Sequence, residues 1–366
     1  MNTKLLLLIA APALALLPTT GALATAQADA AQPPVAAHVD PRVELVSIVF
    51  RLAGHPEYNQ ARVANYAQAV EEQFRPFEEH AVVLQARELR RTRGVSYDAC
   101  MSFAIHLEPE LGQGVTLRAS HDSLERRWPD DLDDFLADLD NFYHITEFQT
   151  FFDRHRELYT EAEQRLDAVL VQADMTWFDR FFGARAPASF ELAIGLLNGG
   201  ANYGPHVDNA DGTRSFHCVL GAWKTDDAGL PIFDTSMLST VVHEFCHSYC
   251  NPYVDAHLDE LEGALSKLWP AVEERMRRQA YSNWQTMGRE SLVRASVARY
   301  LGAQNGPEAA RKHALAQVDD RGFLWTVELV ELLGEYEADR ELYPTFDAFV
   351  PLVIEFFDEY ADARVK

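Results

Sequence analysis

His243, Glu244 and His247 stand in the order H-E-x-x-H, inside Val241-Val-His-Glu-Phe-Cys-His-Ser-Tyr-Cys-Asn-Pro. Four residues are a little over one turn of α-helix. Two imidazoles at that spacing project from one face and can share one metal ion. Glu244 points aside from that face. There it can take a proton from an attacking water without being a ligand. The chemistry implied is metal-assisted hydrolysis.

A tetrahedral catalytic zinc needs a third protein ligand and one open position. A Gly at 250 and a third His at 253 would extend the motif, but Cys250 and Tyr253 stand there, which excludes the metzincin pattern. A later helix is the alternative source. Glu290, in Gly288-Arg-Glu-Ser-Leu-Val-Arg-Ala, is the best candidate, with Arg294 one turn on to support it. Asp255, His257, Asp259 and Glu260 follow the motif too closely for an easy return to the metal, although His257 stays in play. Cys250 projects on nearly the same side as the two His. As a thiolate it would close the site and make the metal structural; as a small buried residue it would only pack. Cys246 lies between the two faces and reads as packing. Tyr281 is a candidate donor to the oxyanion of a tetrahedral intermediate.

These residues need a scaffold. Leu238, Val242, Phe245 and Tyr249 form an apolar stripe opposite the two His, so the helix buries one side and presents a metal face on the other. Asp234, Thr235 or Ser236 can cap its start, and Asn251-Pro252 is the expected end. The helix of Glu290 has Leu292, Val293, Val297 and Leu301 to bury. Ahead of the motif, residues 188–233 hold two apolar runs, Ser189–Leu197 and Ser215–Trp223, with a turn signal at Asp211-Gly212. A small antiparallel sheet of two or three strands is expected there. Phe216–Trp223 would be the edge strand that pairs with extended substrate, and Asn202, Tyr203 and His206 would line the cleft. Residues 41–185 carry helical periodicity, and further helices follow to the end of the chain. The fold class is therefore α+β, predominantly helical. Its organisation is a helical region over 41–185 and a metal-binding region over 186–366.

The chain has 366 residues, of which 48% are hydrophobic, enough for a real core. Its 56 acidic and 32 basic residues give a net charge of −24. That charge argues against nucleic acid as a partner and against a polybasic membrane anchor. Lys4, the apolar run Leu5–Leu17 and the Ala-x-Ala steps near Ala28 read as a signal peptide over 1–28, followed by a flexible leader over 29–40. Export to the periplasm or beyond is expected, with no later membrane span. Four cysteines do not make a disulfide scaffold.

The metal helix with a downstream Glu resembles gluzincin-type zinc metallopeptidases, which the thermolysin group typifies. More closely, the chain resembles bacterial secreted proteins grouped as domain-of-unknown-function family 4932. The segments that carry this are Asp40-Pro-Arg-Val-Glu-Leu, Ala201-Asn-Tyr-Gly, the motif from His243 to Pro252, and Glu290-Ser-Leu-Val-Arg-Ala. The wider resemblance implies a zincin-like core, zinc on His243, His247 and Glu290, Glu244 as general base, and a peptide or protein substrate. One departure stands out. The thermolysin-type second signature has Asn before its Glu and Asp four residues after, where this chain has Arg289 and Arg294.

Overall fold

The computed structural model describes residues 35–118, 124, 126–183, 188–279 and 281–364. The expected signal peptide and the leader up to residue 34 lie outside them. The described residues all belong to one compact unit. The described residues include part of the segment expected as leader. Ala37–His38 forms β1 and pairs with residues 192 and 193.

The first helix, α1 (Pro41–Leu52), shows why the chain folds sharply here. Asp40 caps it, its Oδ1 accepting the Arg42 amide at 2.8 Å, and Pro41 takes the first helical position. Residues 42–50 are all buried, as a helix apolar nearly all round must be. The polar members of that run are satisfied. Arg42 pairs with Asp40 and donates to the carbonyl of Leu107 at 3.0 Å. Glu44 accepts the Leu196 amide and the Tyr66 hydroxyl.

Among the described residues, seven α-helices follow: α2 (Ala64–Phe74), α3 (Ala81–Arg93), α4 (Asp98–His106), α5 (Asp133–Ile145), α6 (Phe148–Arg154), α7 (Arg156–Leu170) and α8 (Thr176–Phe182). Then come β2 (Ala188–Gly195), β3 (Asn202–Tyr203), β4 (His206–Asp208) and β5 (Arg214–Gly221). The last six helices are α9 (Leu238–Ala256), α10 (Leu258–Arg278), α11 (Trp284–Asn305), α12 (Pro307–Ala316), α13 (Thr326–Ala338) and α14 (Phe346–Arg364). The fold is α+β and mostly helical, as expected. No helix among the described residues is long and apolar enough to cross a membrane.

The sheet differs from the expectation. It is mixed and has five strands in the order β1-β2-β5-β3, with β4 also on β5. β1 with β2 and β2 with β5 run parallel; β3 and β4 run antiparallel to β5. After β2 the chain crosses the end of β5 and runs back down its far side as β3 and β4. It then turns at the foreseen Asp211-Gly212, with Gly212 at φ +81°. The crossing needs Gly221: a Cβ there would meet the carbonyl oxygens of Gly199 and Ala201 at 2.4 and 2.6 Å. The apolar runs of β2 and β5 were the signal for parallel neighbours. Strands covered on both faces read as continuous apolar runs, without clean alternation. Phe216–Trp223 is therefore not the edge. β5 is an interior strand, and the edge beyond it is β3–β4.

Candidate metal centre

The helix carrying the two His is set by its apolar side. Asp234 Oδ1 accepts the Ser236 amide at 2.9 Å, and one tight turn leads into α9. Phe245 then lies 4.9 Å, ring to ring, from Phe190 of β2, and Tyr249 stacks on Phe178 at 5.3 Å. The opposite side carries the imidazoles. Their Nε2 atoms are 3.2 Å apart. The helix does not stop at Asn251-Pro252, as the sequence suggested, but continues through Pro252 to Ala256. Proline removes one donor, and the packing around α9 tolerates that loss.

α11 supplies the third group. Asn283 caps it, accepting the Thr286 amide at 2.8 Å. Gly288 lets it close on α10, since a Cβ there would lie 2.7 Å from Leu265. Glu290 then faces the pair: Oε1 is 3.4 Å from His247 Nε2, and Oε2 is 3.5 Å from His243 Nε2. Ligands bound tetrahedrally at roughly 2.0–2.1 Å stand about 3.3–3.4 Å from one another. The two His nitrogens stand near that spacing, and with one Glu290 oxygen the three donor atoms all lie within 4.8 Å of one another. Among the described residues, the three that converge this way are His243, His247 and Glu290. The His side chains keep 20% and 19% of their surface exposed, so the site is reachable from solvent, while Glu290 keeps 8%.

The electrostatics follow from burial and proximity. Burial pulls His243 down to about 3. It also acts against the charged form of His247, but the hydrogen bond and charge of Glu290 outweigh it and leave that imidazole near 9. Glu290 sits well below the usual carboxylate range, because Arg294 and the two His overcome its burial. Burial pushes Glu244 up to about 7.

The chain matches the family described as a domain of unknown function (DUF4932) over residues 35–356. It belongs to that family. No curated protein and no solved structure matches it. The family's span contains every residue of the cluster and its supports.

Several sequence candidates lie elsewhere. Cys250 is buried, its sulfur 3.6 Å from the Ser296 hydroxyl, and it is not in the convergent set. His257 pairs with Glu260 at 2.5 Å and is likewise outside the set. Cys246 is buried packing. Asn202 accepts from the Gly221 amide and the Trp223 indole, which is loop chemistry. Tyr203 is buried, and its hydroxyl has no hydrogen-bond partner. His206 is exposed, 6.4 Å from the Phe216 ring. Tyr281 does join the cluster, through Arg294, whose Nη2 donates to the Tyr281 hydroxyl and to Glu290 Oε2, each at 2.8 Å.

The structure adds residues that the sequence reading missed. Asn251 Oδ1 lies 3.1 Å from His247 Nδ1. An Nδ1–H donated there turns Nε2 to the cluster, where it can bind a cation once it gives up its proton. Its signal was in the sequence, one turn after His247. Gly204, in the β3–β4 edge, lies against Glu244. A Cβ on it would be 2.8 Å from Oε2. Gln317 accepts from Arg294 Nη1 at 2.7 Å, and no spacing in the sequence pointed to it.

Proposed function

We propose that the chain is an exported zinc-dependent hydrolase, a metallopeptidase of gluzincin type. The observation that carries this is the convergence of His243, His247 and Glu290, with one donor atom of each within 4.8 Å of the others, and a second carboxylate, Glu244, beside them but outside the set. Two imidazoles and one carboxylate are a donor set suited to zinc, and three protein donors leave one position free. When bound there, zinc supplies Lewis acidity, which polarises a carbonyl and makes water more acidic.

The chain's own residues do the rest. Glu244 accepts a proton from the attacking water at its carboxylate and passes it to the leaving amine nitrogen. The hydroxyl goes to the acyl carbon as the C–N bond breaks. Asn251 holds the His247 ring in one orientation. The β3–β4 edge accepts an extended peptide backbone, and Gly204 keeps the space above Glu244 clear. The apolar leader sends the protein to the periplasm or beyond, where peptides are the substrates at hand.

Glu244→Gln tests this reading. The variant should keep its zinc and lose cleavage of an unfolded protein substrate by at least about 100-fold, as general-base loss implies. Undiminished cleavage by the variant, or no zinc in the wild type, overturns it. The rival reading, a structural zinc closed by Cys250, draws no support from a sulfur that faces Ser296.

A further inference from the structure

Between α12 and α13 the chain makes a π-turn, Gln317–Arg321, ending at Gly322 with φ +83°. The turn continues α12 and closes it at a left-handed glycine, as helix C-termini commonly do. The residues at its two ends grip one group. Gln317 Oε1 accepts from Arg294 Nη1 at 2.7 Å, and the Phe323 ring lies 4.6 Å from the guanidinium carbon. Both are buried. On its other side Arg294 donates from Nη2 to Tyr281 and to Glu290 Oε2. Arg294 is itself buried, and its Nε has no hydrogen-bond partner. A plain i,i+4 ion pair on a helix surface needs none of this.

The hydrogen bonds have a forced direction. A guanidinium only donates, so the Gln317 oxygen must face Arg294. Its Nε2 then faces His313 Nε2 at 3.2 Å and donates to it. The whole chain of groups is thereby fixed in one arrangement, and it ends on Glu290.

We infer that Arg294 is the positioning residue of the metal centre: through Oε2 it fixes the plane of the Glu290 carboxylate, so that the group meets the two His in one orientation and cannot swing into a further position on the cation. This rests on the zinc reading above. A carboxylate free to pivot would offer both oxygens and fill the position that the chemistry needs open. The turn brings Gln317 and Phe323 to the guanidinium together.

The test uses the full chain, stripped of metal and reloaded with zinc or with cobalt(II). In Arg294→Met, zinc affinity by chelator competition should fall about 10–100-fold, the usual effect of losing such a support. The visible cobalt bands should change from an intense four-coordinate pattern to a weaker one of higher coordination. Arg294→Lys, which keeps the charge but not the fork, should recover part of the affinity and not the spectrum. An Arg294→Met protein with wild-type affinity and spectrum overturns the inference. If circular dichroism shows that Arg294→Met does not fold, Tyr281→Phe combined with Gln317→Leu leaves Arg294 present but unheld. Weaker zinc binding and the same spectral change support the inference, and no change in either overturns it. A wild type that takes up no zinc overturns the zinc reading and this inference with it. The wild-type measurement tells that case apart from failure of the inference alone.

Discussion

Gly204 sits directly against Glu244: a methyl group on it would lie 2.8 Å from Oε2 and 3.1 Å from the Glu244 carbonyl oxygen. One of those atoms is backbone and cannot swing away. Gly204→Ala must therefore displace the β3–β4 edge or the carboxylate. Cleavage should fall at least about tenfold, since small misplacements of a reacting group are costly. Zinc content should not change, because no metal-facing donor moves. A loss of zinc in parallel with activity would place Gly204 among the supports of the metal instead.

Asn251 orients His247 through its far ring nitrogen. Asn251→Ala frees the imidazole to rotate and to change tautomer. Zinc affinity should drop about 10–100-fold, measured by chelator competition, with little change in thermal unfolding of the metal-free protein.

Asp40 and Arg42 form an ion pair whose side chains are only 3% and 4% exposed. Asp40→Ala leaves the Arg42 charge buried and removes the cap of α1. Unfolding in urea should show a loss of about 3–5 kcal/mol. The metal centre lies on other helices, so whatever protein remains folded should still bind zinc.

Glu44 gives a pH signature. Burial raises its carboxyl from 4.5 to about 7, against the pull of its bonds from Leu196 and Tyr66. A folded-state value above the unfolded one means stability that is present below pH 4.5 and lost as the pH rises through 7. The loss reaches about 3 kcal/mol. Burial lowers His106 and His217, and both act in the opposite sense. The raw stability curve therefore mixes the two effects. The difference between Glu44→Gln and wild type isolates Glu44. It should move in the variant's favour by about 2.5 kcal/mol between pH 5 and pH 8, and a flat difference would show that the carboxyl ionises normally.

The face that gathers the two imidazoles was legible because helical spacing is local. His243 and His247 share a side by period alone, and Phe245 and Tyr249 had to find a core. Glu290 was a longer inference, since it depends on how α11 crosses α9. The end of α9 was misread because Pro252 is a strong local breaker that tertiary packing overrode. The sheet was misread for a different reason. Adjacent apolar runs suggested hairpins, but the partner of β5 on one side is β2, with a return pass of the chain between them in sequence. Gln317 and Phe323 were not legible at all. Their meeting at Arg294 depends on a π-turn, which has no clear sequence signature. The converging donors are thus the part that short-range pattern could supply, and their supports are the part that only three-dimensional packing reveals.

The central claim is that His243, His247 and Glu290 hold a zinc ion. Elemental analysis of the full chain, stripped with a chelator, reloaded with zinc and desalted, tests it most directly beside a His243→Ala/His247→Ala double variant. The account predicts a single zinc ion per wild-type chain and none in the double variant. A wild type that retains no zinc, or a double variant that retains as much, would contradict it.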